Sequence, residues 1–207
     1  MEIVTLPVGP LQANCYLLFG DEKTAAVVDP GGDGGRILAE LRERRLSVGA
    51  VLLTHAHFDH MLAAGEVREA TGAPLWVPEG DAEALADPVR SLLSWMPQES
   101  ILPLQPDRLV KDGEILAVGG LRLEVLATPG HTPGSVCYRC GDVLLTGDTL
   151  FAGGVGRTDF PGGDENALRQ SLRRLSNLEG EYTVLPGHGP ATTLAAERRG
   201  NPYMASL

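Results

Sequence analysis

The chain is poor in cysteine, in aromatic residues and in positive charge, and it has no long apolar run. Three cysteines are an odd number, which implies no complete disulfide framework. Aromatics supply only 5% of the 207 residues, yet hydrophobic residues reach 43%. That is enough for one domain with a full core, or for two tightly fused halves. A formal net charge of -10 leaves no basic face for phosphates, which argues against a nucleic-acid partner. No segment has the length of a membrane span, and residues 1–10 lack the basic-then-apolar pattern of a secretory leader. A cytoplasmic protein without a membrane partner is expected.

What the chain does have is a cluster. Thr54-His55-Ala56-His57-Phe58-Asp59-His60 places four metal-competent side chains within six residues, directly after the apolar run 50–53. In an extended turn, residues two apart point the same way, so His55 and His57 can grip one ion together. Asp59 and His60 follow where a helix begins, and point elsewhere. One ion rarely draws four ligands from six residues, whereas two adjacent ions could share them. Imidazoles with a carboxylate suit zinc, iron or manganese better than magnesium or calcium.

Taken in order, strands are predicted over 2–8, 14–19 and 25–28, with a hairpin turn at 20–23. Asp29-Pro30-Gly31-Gly32 ends the third strand; Asp29 reads either as a turn residue or as a carboxylate that orients a metal ligand. Apolar spacing predicts a helix over 35–45, then comes the strand that delivers the histidines, a helix over 60–70 and a short strand at 75–77. The stretch 78–106 suggests a helix over 81–93 but no function; Trp95 and Met96 read as core or lid packing more than as cleft lining. A second β-rich half is predicted from strands over 114–118, 121–127, 135–138 and 143–145, a helix over 165–175 and a strand over 182–185.

One event recurs through both halves: an apolar strand, a tight loop, then a metal-competent residue. It delivers His131 after Thr128-Pro129-Gly130, Asp148 after Thr146-Gly147, and His188 after Pro186-Gly187. All five histidines of the chain fall just past strands in this way, which surface polarity alone would not arrange. The constellation suggests one ion on His55, His57 and His131, a second on Asp59, His60 and His188, and Asp148 bridging both. A water between two cations ionises near neutral pH and can attack an ester, thioester or lactone. Cys137 and Cys140 are three apart on a strand, so they face opposite sides and read as structural.

These motifs, in this order and over nearly the whole chain, resemble the metallo-β-lactamase superfamily and within it the glyoxalase II-like (hydroxyacylglutathione hydrolase-like) branch. The resemblance implies an α/β fold, a four-layer αβ/βα sandwich of two mixed β-sheets flanked by helices. It implies two divalent metal ions, zinc and/or iron with manganese also acceptable, on the five histidines, Asp59 and Asp148. Asp148 matches the family's bridging carboxylate, Asp59 would orient the bridging water or accept its proton, and Asp29 matches the superfamily's first motif. The bridging aspartate, where true β-lactamases of the superfamily generally differ, argues against antibiotic hydrolysis. No helical glutathione-binding domain is expected after His188, so the chain is similar to the short subgroup, a single domain over 1–207. The expected partner is a small-molecule thioester or ester. Arg157 and Phe160 sit where the family contacts substrate, although Arg157 could equally tie its loop to Asp159 or Asp164. The same Gly-Arg-Thr-Asp-Phe run is also similar to the superfamily's persulfide dioxygenases, which hold one iron on residues matching His55, His131 and Asp148. A lactonase or a ribonuclease of the superfamily is more remote.

Overall fold

Successive side chains of a strand point to opposite faces, so a strand buried throughout must lie between two layers. All seven residues of the strand Ala13–Phe19 are buried. Cys15, Leu17 and Phe19 join one apolar cluster, while Tyr16 and Leu18 join another. The computed structural model, which describes residues 1–96, 104–205 and 207, shows what those layers are.

The first sheet runs in chain order: β1 (Glu2–Val8), β2 (Ala13–Phe19), β3 (Thr24–Val28), β4 (Ser47–Leu52), β5 (Leu75–Pro78) and β6 (Arg108–Val110). β1 to β3 pair antiparallel and β3 to β6 pair parallel. The second sheet is built from β7 (Ile115–Val118), β8 (Leu121–Ala127), β9 (Val136–Cys140), β10 (Val143–Gly147), β13 (Thr183–Pro186) and β14 (Thr192–Thr193). Its spatial order is β14-β13-β10-β9-β8-β7. β11 (Leu150–Phe151) and β12 (Gly154–Val155) form a separate small hairpin.

The sheets pack face to face through Leu18, Val28 and Leu52 on one side and Leu123, Val125 and Tyr138 on the other. Ile37 and Leu41 of α1 (Gly34–Glu43) and Val67 of α3 (Ala64–Thr71) cover the outer face of the first sheet. Leu168, Leu172 and Leu175 of α4 (Glu165–Ser176) and Leu194 of α5 (Leu194–Gly200) cover the second. The result is the four-layer sandwich expected from the sequence. No helix among the described residues is long and apolar enough to cross a membrane.

Two helix expectations need correction. The helix over 60–70 is broken into α2 (Phe58–Met61) and α3, with His60 inside α2 rather than in a loop. The helix over 81–93 does not form; a 3-10 segment spans Glu79–Ala86 and a single 3-10 turn spans Leu93–Trp95. Pro88 forces its predecessor out of the helical region, and Asp87 is extended at φ -109, ψ 105. The rest of the unassigned stretch, residues 97–103, lies outside the described residues. β6, β14 and the β11–β12 hairpin are strands of two or three residues, too short to carry a periodic signal in the sequence. Cys137 faces α4 and Cys140 faces the inter-sheet core, on opposite sides of β9.

Strand direction creates a common rim. β8 and β10 both run antiparallel to β9, and β13 runs parallel to β10, so the carboxyl ends of β8, β10 and β13 emerge together. β3 and β4 are parallel neighbours and likewise end side by side.

Candidate metal centre

Each strand end at this rim carries one of the predicted residues. Asp29 follows β3, His55 and His57 follow β4, Asp59 and His60 lie in α2, and His131, Asp148 and His188 follow β8, β10 and β13. The structure gathers all seven proposed ligands into three overlapping groups: His55, His57 and His131; His55, His60 and Asp148; and Asp59, His60 and His188. Within each group the candidate donor atoms lie within 4.8 Å of one another.

The hydrogen bonds behind the imidazoles decide which nitrogens face the cluster. His131 Nδ1 lies 2.7 Å from the Arg157 carbonyl, which can only accept, so the proton sits on Nδ1 and Nε2 keeps its lone pair. His60 Nδ1–H donates to Asp29 Oδ2 at 3.0 Å. Thr54 Oγ1–H donates to the same carboxylate oxygen at 2.6 Å, which leaves Oγ1 to accept from His55 Nδ1–H at 3.1 Å. Asp29 therefore aims His60 directly and His55 through Thr54. Asp29 adopts a left-handed backbone, φ 52, and also accepts the Thr54 backbone N–H at 2.7 Å. Asp29 fits both readings open in the sequence: its carbonyl accepts the Gly31 N–H at 2.8 Å in a turn, and its carboxylate lies behind His60.

Around the inward nitrogens, hydrogen-bond capacity is left unspent. His55 Nε2, His57 Nε2, His60 Nε2 and Asp148 Oδ1 are buried without a hydrogen-bond partner. Buried polar atoms without partners are rare, and the three from His55, His60 and Asp148, which meet in one donor group, fit a cation site. His57 Nδ1 and His131 Nε2 converge to 2.9 Å. Asp148 lies between the groups: Oδ2 is 3.5 Å from His131 Nε2 and 3.7 Å from His188 Nε2, and Oδ1 is 3.4 Å from His60 Nε2. Asp59 Oδ2 is 3.1 Å from His188 Nε2 and 3.7 Å from His60 Nε2.

Electrostatics divide the histidines. Burial, with the neighbouring imidazoles, holds His55 well below the usual histidine range and His57 at about 3. Burial acts the same way on His60, but the carboxylates of Asp59, Asp148 and Asp29 outweigh it and raise His60. His188 is also raised, burial being outweighed by Asp59 and Asp148. Burial disfavours the charged forms of Asp59 and Asp148, yet the surrounding imidazoles keep both below the usual carboxylate range.

Close backbone approach completes the floor. A Cβ on Gly187 would lie 2.2 Å from Asp148 Oδ1 and 2.8 Å from His60 Cε1. A Cβ on Gly31 would lie 1.6 Å from the Asp59 carbonyl oxygen. At the rim, the Phe160 ring centroid is 5.8 Å from His57 and 6.2 Å from His131, and the Trp95 ring packs on Phe160 at 5.2 Å. Trp95 is 60% exposed, so it is neither core nor buried lid as its sequence suggested. Arg157 lies over Phe160 at 4.2 Å, and its Nε and Nη2 each bond the Asp159 carboxylate at 2.6 Å. The Asp159 tie weighed from the sequence is therefore present.

Sequence reasoning missed Thr54. Thr54 was legible in principle, because β3 and β4 are parallel neighbours whose ends must meet, with Val28 opposite Leu52.

The metallo-β-lactamase superfamily model matches residues 8–188 of this chain. The chain belongs to the metallo-β-lactamase superfamily. Among relatives of this superfamily member, a protein of Haemophilus influenzae described as hydroxyacylglutathione hydrolase GloC is 38% identical, across 100% of this chain and 99% of the relative. The crystal structure of BLEG-1, described as a B3 metallo-β-lactamase, superposes with a TM-score of 0.93 at 37% identity, covering 98% of this chain and 99% of that one. TTHA1623, solved in a di-iron-bound form, gives a TM-score of 0.85 at 39% identity, covering 98% and 100%. This superfamily member is accordingly a metallo-hydrolase in its fold and in its His/Asp cluster.

Proposed function

We propose that the protein is a binuclear metallo-hydrolase that cleaves a thioester, with S-(2-hydroxyacyl)glutathione-like compounds as its substrate class. The observation that carries this reading is Asp148, which lies between two groups that each already hold three candidate ligands. In this reading His55, His57 and His131 hold one divalent ion, Asp59, His60 and His188 hold the other, and Asp148 is shared. The nitrogen and oxygen donors suit zinc, iron or manganese, and the likeness to a di-iron-bound protein supports iron as one occupant. When bound, such a pair supplies Lewis acidity that ionises an intervening water near neutral pH and polarises the scissile carbonyl.

The chain's own residues do the rest. Asp59, held anionic beside His188 and His60, accepts the proton of the attacking water. Asp29 and Thr54 keep His60 and His55 in the tautomers that present Nε2 to the site. Phe160, with Trp95 and Arg157 against it, forms an aromatic wall beside His57 for the substrate's acyl group or carrier. The similarity to GloC over nearly its full length supports a glutathione thioester. A mononuclear dioxygenase would need only His55, His131 and Asp148, and leaves the Asp59, His60 and His188 group unaccounted for.

The test is a substrate panel on one preparation: an S-(2-hydroxyacyl)glutathione, a thioester of a different thiol, a β-lactam and glutathione persulfide. Release of glutathione from the first, faster than any other turnover, is the expected result. Ring opening of the β-lactam as the main activity, or oxygen uptake on the persulfide alone, would overturn it.

A further inference from the structure

Asp81 stands outside every group described so far, yet it touches the backbone of both halves of the centre. It is 3% exposed and sits in the 3-10 segment after β5. Its Oδ2 accepts the Ala56 N–H at 2.9 Å and the Thr132 hydroxyl at 2.8 Å, and its Oδ1 accepts the Gly134 N–H at 2.7 Å. Ala56 is the residue between His55 and His57, and Thr132 directly follows His131. The approach is made possible by two glycines. A Cβ on Gly134 would lie 2.3 Å from Asp81 N, and a Cβ on Gly80 would lie 2.8 Å from Gly134 Cα.

All three partners are neutral donors. A carboxylate buried without a cationic partner costs stability, even when hydrogen-bonded. Imidazole binds a metal as a neutral ligand, so a divalent ion held by His55, His57 and His131 would keep positive charge that this anion faces. Groups that orient metal ligands from behind typically change affinity by about 10–100-fold when removed.

We propose that Asp81 is a positioning residue for the ion held by His55, His57 and His131, locking the loop after β4 to the loop after β8 so that the three imidazoles meet. The inference rests on the metal-centre reading above. It assigns Asp81 to one ion and not to the other, because no bond from Asp81 reaches the segments of Asp59, His60 or His188.

The experiment is chelator-driven metal release from the zinc-loaded, full-length protein, followed with a chromophoric chelator, for wild type, Asp81→Asn and Thr132→Val. Wild type is expected to release two ions in separable phases. Asp81→Asn keeps the shape of the side chain but sets an amide N–H against backbone donors. It is expected to accelerate one phase by about 10–100-fold, leaving the other within about twofold and the cobalt-substituted spectrum of the second ion unchanged. Thr132→Val removes one of the three bonds and keeps the carboxylate, so a smaller acceleration of the same phase is expected, and it tests the tie if Asp81→Asn fails to fold. Unchanged release from both variants, or equal acceleration of both phases together with a lowered melting temperature, would overturn the assignment. Release of a single ion by wild type would instead overturn the two-ion reading itself.

Discussion

His55, Asp148 and His188 separate the ligand roles at the level of single residues. His55 joins two of the three donor groups and Asp148 touches histidines of both ions, so His55→Ala and Asp148→Ala should each abolish turnover. His188 is the most exposed of the seven, at 28%, and belongs to one group only. His188→Ala should mainly lower occupancy of the second ion, read as metal content per chain. Retention of full activity and metal by Asp148→Ala would remove the bridging role. The protonation states give these ions different pH dependences. His55 and His57 are held neutral, so binding there displaces no proton from them near neutrality. His60 and His188 are raised and keep their protons to higher pH, so an ion binding there must release them. Affinity for the second ion should therefore rise between about pH 6 and pH 8, by up to tenfold per unit for each proton released. A metal titration across that range reads the effect.

The loops after the strands are where the elements meet the chemistry. Gly187 bends the loop after β13 against Asp148 and His60, and Gly187→Ala should cost about 1–3 kcal/mol and displace that carboxylate. Thermal melting with metal analysis checks both effects; unchanged metal content would show that the close approach has no part in the site. Five of the seven candidate ligands were legible because each follows an apolar strand within a few residues, and Asp59 and His60 because they continue the same motif into α2. α4 was legible for a similar reason, since Asp164 caps it by accepting the Asn166 and Ala167 N–H groups at 2.8 and 3.0 Å. Asp81 was not, because its role depends on three donors 25, 51 and 53 residues away. The absent helix over 81–93 has a local origin: Pro88 holds Asp87 extended and ends the 3-10 segment. Trp95 was misread because its partner Phe160 belongs to the other half of the chain.

Over the whole molecule, both β-rich halves feed one rim, so we propose that residues 1–207 unfold as a single unit. Bound ions would then stabilise both halves together. At a metal concentration of about 100 times each Kd, each ion adds about 2.7 kcal/mol, so stripping both should lower the melting temperature by on the order of 10–20 °C. The transition should stay single; two separated transitions after chelation would mean that the halves fold independently. The most direct test of the central claim is the metal content per chain of protein purified without added metal, measured beside its turnover of a 2-hydroxyacyl glutathione thioester. Two ions per chain with thioester hydrolysis is the predicted result. One iron per chain, with persulfide-dependent oxygen uptake and no hydrolysis, would contradict it.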